Sequence, residues 1–236
     1  MKQRQIAAYC QSIIHTEIAA ADGVRRDCDK VEQVLRSYAR HLSTQASIKT
    51  ISSDVAHFFA EVNRKTVAEY LDAMRSIFVI DELSAWSPAL RFKTAVASSP
   101  CRHFVDPAIA AYFLDANAED LIYDMETFGP LFESPVIRDL RVYTGSLDGR
   151  VHHYRDHSGL EVDAILHLPG GQWAAIEVKL GNRAVDYGAS NLLKLSQKID
   201  TDLMNAPSFL AVITANGYAY RRQDGVCVIP IGCLRE

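Results

Sequence analysis

The chain has 236 residues, of which 48% are hydrophobic and 23% charged, a balance that supports a globular core and excludes a disordered polyelectrolyte. Such a length is enough for one or two domains. The net charge of −4 neither marks out nor excludes a nucleic-acid partner, because local patches outweigh the sum. Cys10, Cys28, Cys101, Cys227 and Cys233 are an odd, scattered set without C-x-x-C spacing, which suggests neither a zinc site nor a disulfide framework. No apolar run approaches the roughly 20 residues of a membrane span, and the opening MKQRQIAAYC lacks a secretory apolar region. A cytoplasmic protein with reduced thiols and no membrane partner is the expectation.

In chain order, Val31, Val34, Leu35, Tyr38 and Leu42 recur at helical spacing. Ser52 or Ser53 offers an N-cap for a helix carrying Val55, Phe58, Phe59 and Val62. After the polar break Asn63-Arg64-Lys65, the positions Val67, Tyr70, Leu71, Met74 and Phe78 predict a second amphipathic helix. Extended runs follow at 78–83, 91–96 and 102–105, broken by Pro88 and Ser98-Ser99-Pro100. Helix, turn, helix and hairpin is the order of a winged helix-turn-helix. Arg64 and Lys65 would stand at the start of its recognition helix, where base-reading side chains lie. Two helices joined by a short turn also occur in many other folds, and Asp54, Glu61, Glu69 and Asp72 dilute the positive charge.

Asp106-Pro107 predicts a capped helix through Leu114, and the acidic stretch 115–124 reads as a connector. Beyond it a helix is predicted over 128–143, with Phe132, Val136 and Leu140 at four-residue steps. Strands are predicted at 151–154, 160–168 and 173–180, the last two joined as a hairpin through Pro169-Gly170-Gly171. Leu192, Leu195, Ile199 and Leu203 mark a further helix, and 209–214 and 226–231 two more strands. The expected organisation is a mostly helical, winged-helix-like domain over 1–118 and an α/β domain with a mixed sheet over 119–236.

Strand residues two apart share a face about 7 Å from each other. Ala175, Glu177 and Lys179 therefore share one face of their strand, and Glu161 and Asp163 share one face of theirs. The hairpin brings Asp163 beside Glu177, and the opposite, apolar face is expected to lie under a helix. Two close carboxylates repel unless a cation stands between them. Magnesium suits such oxygen ligands and needs only one or two protein carboxylates. Lys179 would orient water or stabilise charge on a phosphate under attack. Glu133, among Phe132, Val136, Ile137 and Leu140, supplies a third carboxylate near an apolar helix face, where charges are seldom buried alone. Taken singly, each piece has a plainer reading, since E-x-K in a strand is commonly a solvated face or a cross-strand salt bridge. The combination is more specific.

These ordered elements resemble the PD-(D/E)XK nuclease superfamily, which implies a restriction-endonuclease-like fold. The resemblance implies a Mg2+ or Mn2+ site formed by Glu133, Asp163, Glu177 and the Val178 carbonyl, with Lys179 assisting, and implies homodimers that cut both strands. More narrowly, most of the chain resembles the C-terminal part of AAA-type ATPases carrying the DUF4143 domain. The matching stretches are His103-Phe104-Val105-Asp106-Pro107, Gly129-Pro130-Leu131-Phe132-Glu133, Tyr154-Arg155-Asp156 through Gly159-Leu160-Glu161-Val162-Asp163, Ile176-Glu177-Val178-Lys179 and the tail 218–230, and coverage runs from about the first helix almost to the end. Two departures stand out. No G-x-x-x-x-G-K-[ST] phosphate loop occurs, so the chain is read as a fragment, a truncated gene product or a free-standing relative, for which an ATPase subunit is a candidate partner. Pro135 follows Glu133 by two residues, and a proline inside a helix costs roughly 3 kcal/mol, so the helix is expected to start or kink there.

Lesser candidates for nucleic-acid contact, DNA ahead of RNA, are Arg155 beside His152, His153 and His157, the pair Lys194 and Lys198, and Arg221 and Arg222 beside Tyr220. Two functions follow. One is a metal-dependent nuclease hydrolysing phosphodiester bonds; the other is a non-catalytic DNA-binding or regulatory module of an AAA-type ATPase system.

Overall fold

A computed structural model describes residues 2–88 and 99–235. They form two compact units, one within residues 1–82 and 101–134 and the other within residues 83–100 and 135–236.

In the first unit, α1 (Lys2–Ser12) runs through a π-helical turn (Ile13–Glu17) into α2 (Ile18–Asp22), which ends at Gly23 with φ 73°. Glycine takes that left-handed backbone without a steric penalty. Asp27 caps α3 (Cys28–Arg40) by accepting from the N–H groups of Asp29 and Lys30, and Val31, Val34, Leu35 and Tyr38 form its buried face as their spacing predicts. The expected helix start at Ser52 or Ser53 is overturned. Helix α4 spans Ile48–Ala56 and is capped by Ser47, whose hydroxyl accepts from Thr50 N–H, while Phe58 lies beyond it and is exposed. Asn63 caps α5 (Arg64–Ser76) by accepting from Lys65 and Thr66 N–H.

Strands β1 (Ile80–Leu83) and β2 (Cys101–Phe104) pair as a two-stranded sheet, and the run predicted at 91–96 lies outside the described residues. The Asp106-Pro107 signal holds: α6 (Pro107–Phe113) begins with Asp106 accepting from Ala108 N–H. The stretch read as a connector contains α7 (Ala118–Tyr123), started by a reciprocal capping box between Asn117 and Asp120. Helix α8 (Met125–Gly145) neither starts nor stops at Pro135. Leu131, Val136, Ile137 and Leu140 are each at most 5% exposed, and this apolar burial outweighs the main-chain donor that proline removes.

The second unit is built on six strands: β3 (Arg150–Arg155), β4 (Glu161–His167), β5 (Trp173–Lys179), β6 (Leu210–Thr214), β7 (Tyr220–Arg221) and β8 (Cys227–Pro230). Their order is β3-β4-β5-β6-β8-β7, with β5–β6 and β6–β8 parallel and the remaining pairs antiparallel, so the sheet is mixed as expected. Gly170 and Gly171, at φ 79° and 75°, turn the β4–β5 hairpin. Helix α9 (Val185–Lys198) is the crossover between parallel β5 and β6; it starts seven residues before the predicted Leu192, and Ile199 and Leu203 lie beyond its end. Val162, Ile165, Trp173, Ala175, Leu192, Leu195 and Val212 share its core. Residues 84–86 join this unit through the ladder bonds Trp86 N–H to His153 O (2.7 Å) and His153 N–H to Ser84 O (3.0 Å). The Trp86 ring, 5.0 Å from that of Trp173, adds an apolar anchor.

Candidate functional site

Asp163 stands where the β3–β4 ladder is irregular. His152 pairs with Ile165 and Tyr154 with Val162, so one residue of β3, His153, opposes two of β4, Asp163 and Ala164. The extra residue is a bulge, a device that re-aims a side chain and interrupts main-chain pairing. It also reverses the alternation. Leu160, Val162 and Ile165 enter one core, and the predicted single-face series Leu160, Val162, Ala164, Leu166 does not survive.

On the other edge of β4, Ala164 pairs with Ile176, so the next step of the register sets Asp163 opposite Glu177. Asp163 Oδ2 accepts from Val178 N–H at 2.7 Å and from Lys179 Nζ at 3.1 Å. The Lys179 ammonium also pairs with Glu177 Oε2, and Asn191 Nδ2 of α9 donates to Glu177 Oε1 at 3.2 Å. The structure thus brings Asp163, Glu177 and Lys179 into one cluster. Val178 contributes its amide N–H to it.

Glu177 is 1% exposed. Burial pushes its carboxyl up, and the neighbouring Asp163 charge pushes the same way, against the pull of Lys179 and Asn191. For Lys179, burial alone would depress the ammonium; the Asp163 and Glu177 carboxylates outweigh it and hold the group above its usual range. Two carboxylates face one ammonium, which leaves one negative charge over when both acids are ionised. Oxygen donors with a residual charge are the donor chemistry that a hard divalent ion takes.

Helix α9 covers the face other than the one expected to lie under a helix, although that apolar face, with Ile176 and Val178, is buried too. Ala175 and Val212 pack with Val185, Ala189, Leu192 and Leu195 of α9 in one core, on the face that carries Glu177 and Lys179. A methyl group at Gly188 would sit 3.3 Å from Glu177 Cβ and 3.4 Å from Lys179 Cε. Alternation defines two strand faces, but the near-universal right-handed hand of a parallel crossover selects the one that receives the helix.

A surface cleft of about 630 Å³ opens beside Asn191, lined also by Gly159, Tyr187, Lys194 and Lys198. Lys198 is held by Asp156 (2.6 Å) and Ser158 (2.7 Å), whereas Lys194 is exposed and forms no ion pair among the described residues. Other basic candidates are spread out and mostly neutralised. Arg155 pairs with Glu161 at 2.8 Å, and Arg222 with Asp186 at 2.5 Å and Asp224 at 3.0 Å. Arg221 bonds Gly225 O at 3.3 Å. Arg64 and Lys65 open α5 in the first unit, with Lys65 3.9 Å from Glu69.

Glu133 belongs to the first unit, where its carboxylate groups with Cys101 Sγ and a ring nitrogen of His103. Reading the cysteines for C-x-x-C spacing passes over this set. Its sequence signal is Cys101-Arg102-His103, two ligand types sharing one face of a strand. All five cysteines are free thiols, and among the described residues no helix is long and apolar enough to cross a membrane.

The family model described as Domain of unknown function (DUF4143) matches residues 128–234. The DUF4143 part of the resemblance therefore holds over that span, while His103–Pro107 fall within a different match. No curated protein and no solved structure matches. Residues 1–120, just over half of the chain, match the model described as Domain of unknown function (DUF8612), and the chain belongs to that family.

Proposed function

We propose that the second unit carries a nuclease site of PD-(D/E)XK type, hydrolysing phosphodiester bonds with Mg2+ or Mn2+ held by Asp163 and Glu177. The observation that carries this reading is the cluster of Asp163, Glu177 and Lys179 at a β-bulge, beside a cleft that presents Lys194. When bound, the ion supplies positive charge to the phosphate under attack. Val178 N–H fixes the Asp163 carboxylate, and Asn191 fixes Glu177, so both oxygens are aimed before any ligand arrives. Glu177 must shed the proton that burial favours, which makes ion binding release a proton and tighten as pH rises. Lys179, kept charged by its two acidic neighbours, offers a second positive charge to a phosphate in the transition state. Lys194 and Lys198 border the approach to Asn191 and would meet the nucleic-acid backbone.

Purified full-length protein is expected to nick DNA in Mn2+. Asp163→Asn and Lys179→Ala abolish cutting, while salt-sensitive binding persists, because affinity rests on phosphate contacts elsewhere. Cutting by Asp163→Asn at the wild-type rate sinks the proposal. One observation favours a non-catalytic module instead: α9 seals Glu177 and Lys179 bridges both acids, as in a structural ion-pair triad. Salt-sensitive binding without cutting across metals and substrates selects that reading, with a separate ATPase subunit as the partner.

A further inference from the structure

We propose that Cys101, His103 and Glu133 form a second metal site, for a divalent ion of the zinc class, in the first unit. Cys101 and His103 stand two apart on β2 and so share one strand face, and Glu133 approaches from α8. Their ligand atoms all lie within 4.8 Å of one another, with Cys101 6% exposed, His103 2% exposed and Glu133 half-buried. A tetrahedral ion with bonds of about 2.0–2.3 Å needs ligand atoms roughly 3.5 Å apart. Closing the remaining ångström or so is within reach of side-chain torsions.

The hydroxyl of Ser134 bears on which ring nitrogen would bind the ion. In the tautomer that donates from Nδ1, His103 bonds Ser134 Oγ at 3.3 Å while the Ser134 hydroxyl donates to Phe104 O at 3.4 Å. His103 Nε2 is then the lone-pair nitrogen, the form a metal takes. The strand that presents both ligands is itself pinned from its other face. Arg102, between them, pairs with Glu82 and donates from Nε to Ala46 O at 3.0 Å.

Donor chemistry separates this site from the one in the second unit. A thiolate with an imidazole suits zinc, cobalt and their neighbours, whereas magnesium takes oxygen ligands. On binding, the Cys101 Sγ–H bond breaks, its proton goes to solvent and the thiolate pair forms the metal bond. Three protein ligands leave a fourth tetrahedral position for water or an incoming group, as in exchangeable or catalytic zinc sites.

The test is a Co2+ titration of the reduced full-length chain, followed by displacement with Zn2+. One equivalent of Co2+ is expected to give tetrahedral visible absorption and a thiolate-to-cobalt charge-transfer band, both removed by Zn2+. Cys101→Ser loses the charge-transfer band. Cys28→Ser, which removes the thiol 3.2 Å from His15 Nδ1, keeps it. Glu133→Gln keeps the band but binds at least about tenfold more weakly, since even an outer-shell partner is worth that much. A band that persists in Cys101→Ser overturns the proposal. Should that variant misfold, Glu133→Gln decides alone, and unchanged affinity overturns it equally.

Discussion

Glu177 and His153 titrate in opposite senses within one sheet. His153 is 3% exposed, and burial lowers its pKa to about 4. The unfolded chain therefore binds more protons between about 4 and the ordinary 6.5, and stability contributed by neutral His153 is lost as pH falls through that window. Glu177 is raised above its ordinary 4.5, so the folded chain holds the proton more tightly and stability falls as pH rises above that value. Each group contributes a slope of at most about 1.4 kcal/mol per pH unit. Denaturant unfolding across pH 4–7 is expected to show a steeper rise in stability with pH for Glu177→Gln than for wild type, and a flatter one for His153→Leu. Identical profiles for all three would mean that neither buried group titrates as its burial requires. Lys179 tests the same cluster from the other sign. Its side chain is 19% exposed and that of Glu177 2%, so Lys179→Met strands two acids in a dry site. Breaking a buried pair in this way costs about 3–5 kcal/mol, and millimolar Mn2+ is expected to restore part of the lost melting temperature.

Among the elements, two glycines set how closely chains approach. At Gly149, just before β3, a Cβ would lie 2.4 Å from Leu168 Cδ2, 2.7 Å from Thr144 Cγ2 and 2.9 Å from the His167 carbonyl oxygen. A backbone atom cannot swing aside, so Gly149→Ala is expected to cost about 1–3 kcal/mol by overpacking, read as a lower urea midpoint. Gly188 is a milder case. Alanine there gains about 1 kcal/mol of helix propensity against contacts of 3.3–3.4 Å, whereas Gly188→Leu, pressed against Glu177 Cβ, is expected to lift α9 from β5 and weaken Mn2+ binding although no ligand is replaced. Unaltered Mn2+ affinity in Gly188→Leu would show that the seal over Glu177 does not govern the site. These close approaches explain what sequence could and could not convey. Alternation, the Pro169-Gly170-Gly171 turn and the Asp106-Pro107 cap are local signals, and the hairpin, the mixed sheet and the α6 start follow from them. The bulge at Asp163 shifts parity by one residue with no local mark, and α9 chooses its face by crossover hand. Ser47 wins the cap from Ser52 and Ser53 because the apolar face already begins at Ile48 and Ile51, which pack into the first core. Glu133 was legible as a metal-ligand type, but its grouping with Cys101 and His103 joins residues some thirty positions apart, which periodicity does not encode.

At the scale of the molecule, each unit encloses its own apolar core, one around Val34, Tyr38, Leu71 and Phe104 and the other around Ile165, Trp173, Leu192 and Val212. The two proposed ion sites belong to different units and differ in donor chemistry, sulfur and nitrogen beside one carboxylate in the first and carboxylate oxygen alone in the second. Each ion should then stabilise its own unit, by about 2.7 kcal/mol at a concentration 100 times its Kd. Hydrogen exchange read peptide by peptide makes the distinction, because protection reports local opening. Zn2+ is expected to slow exchange across β2 and the segment of α8 around Glu133, and to leave β4 and β5 unchanged. Mg2+ or Mn2+ is expected to slow exchange across β4 and β5 alone. Cys101→Ser should erase the first pattern and keep the second, and Asp163→Asn the reverse. If a single ion protects both sets of peptides, and one substitution erases both, the assignment of two separate sites fails.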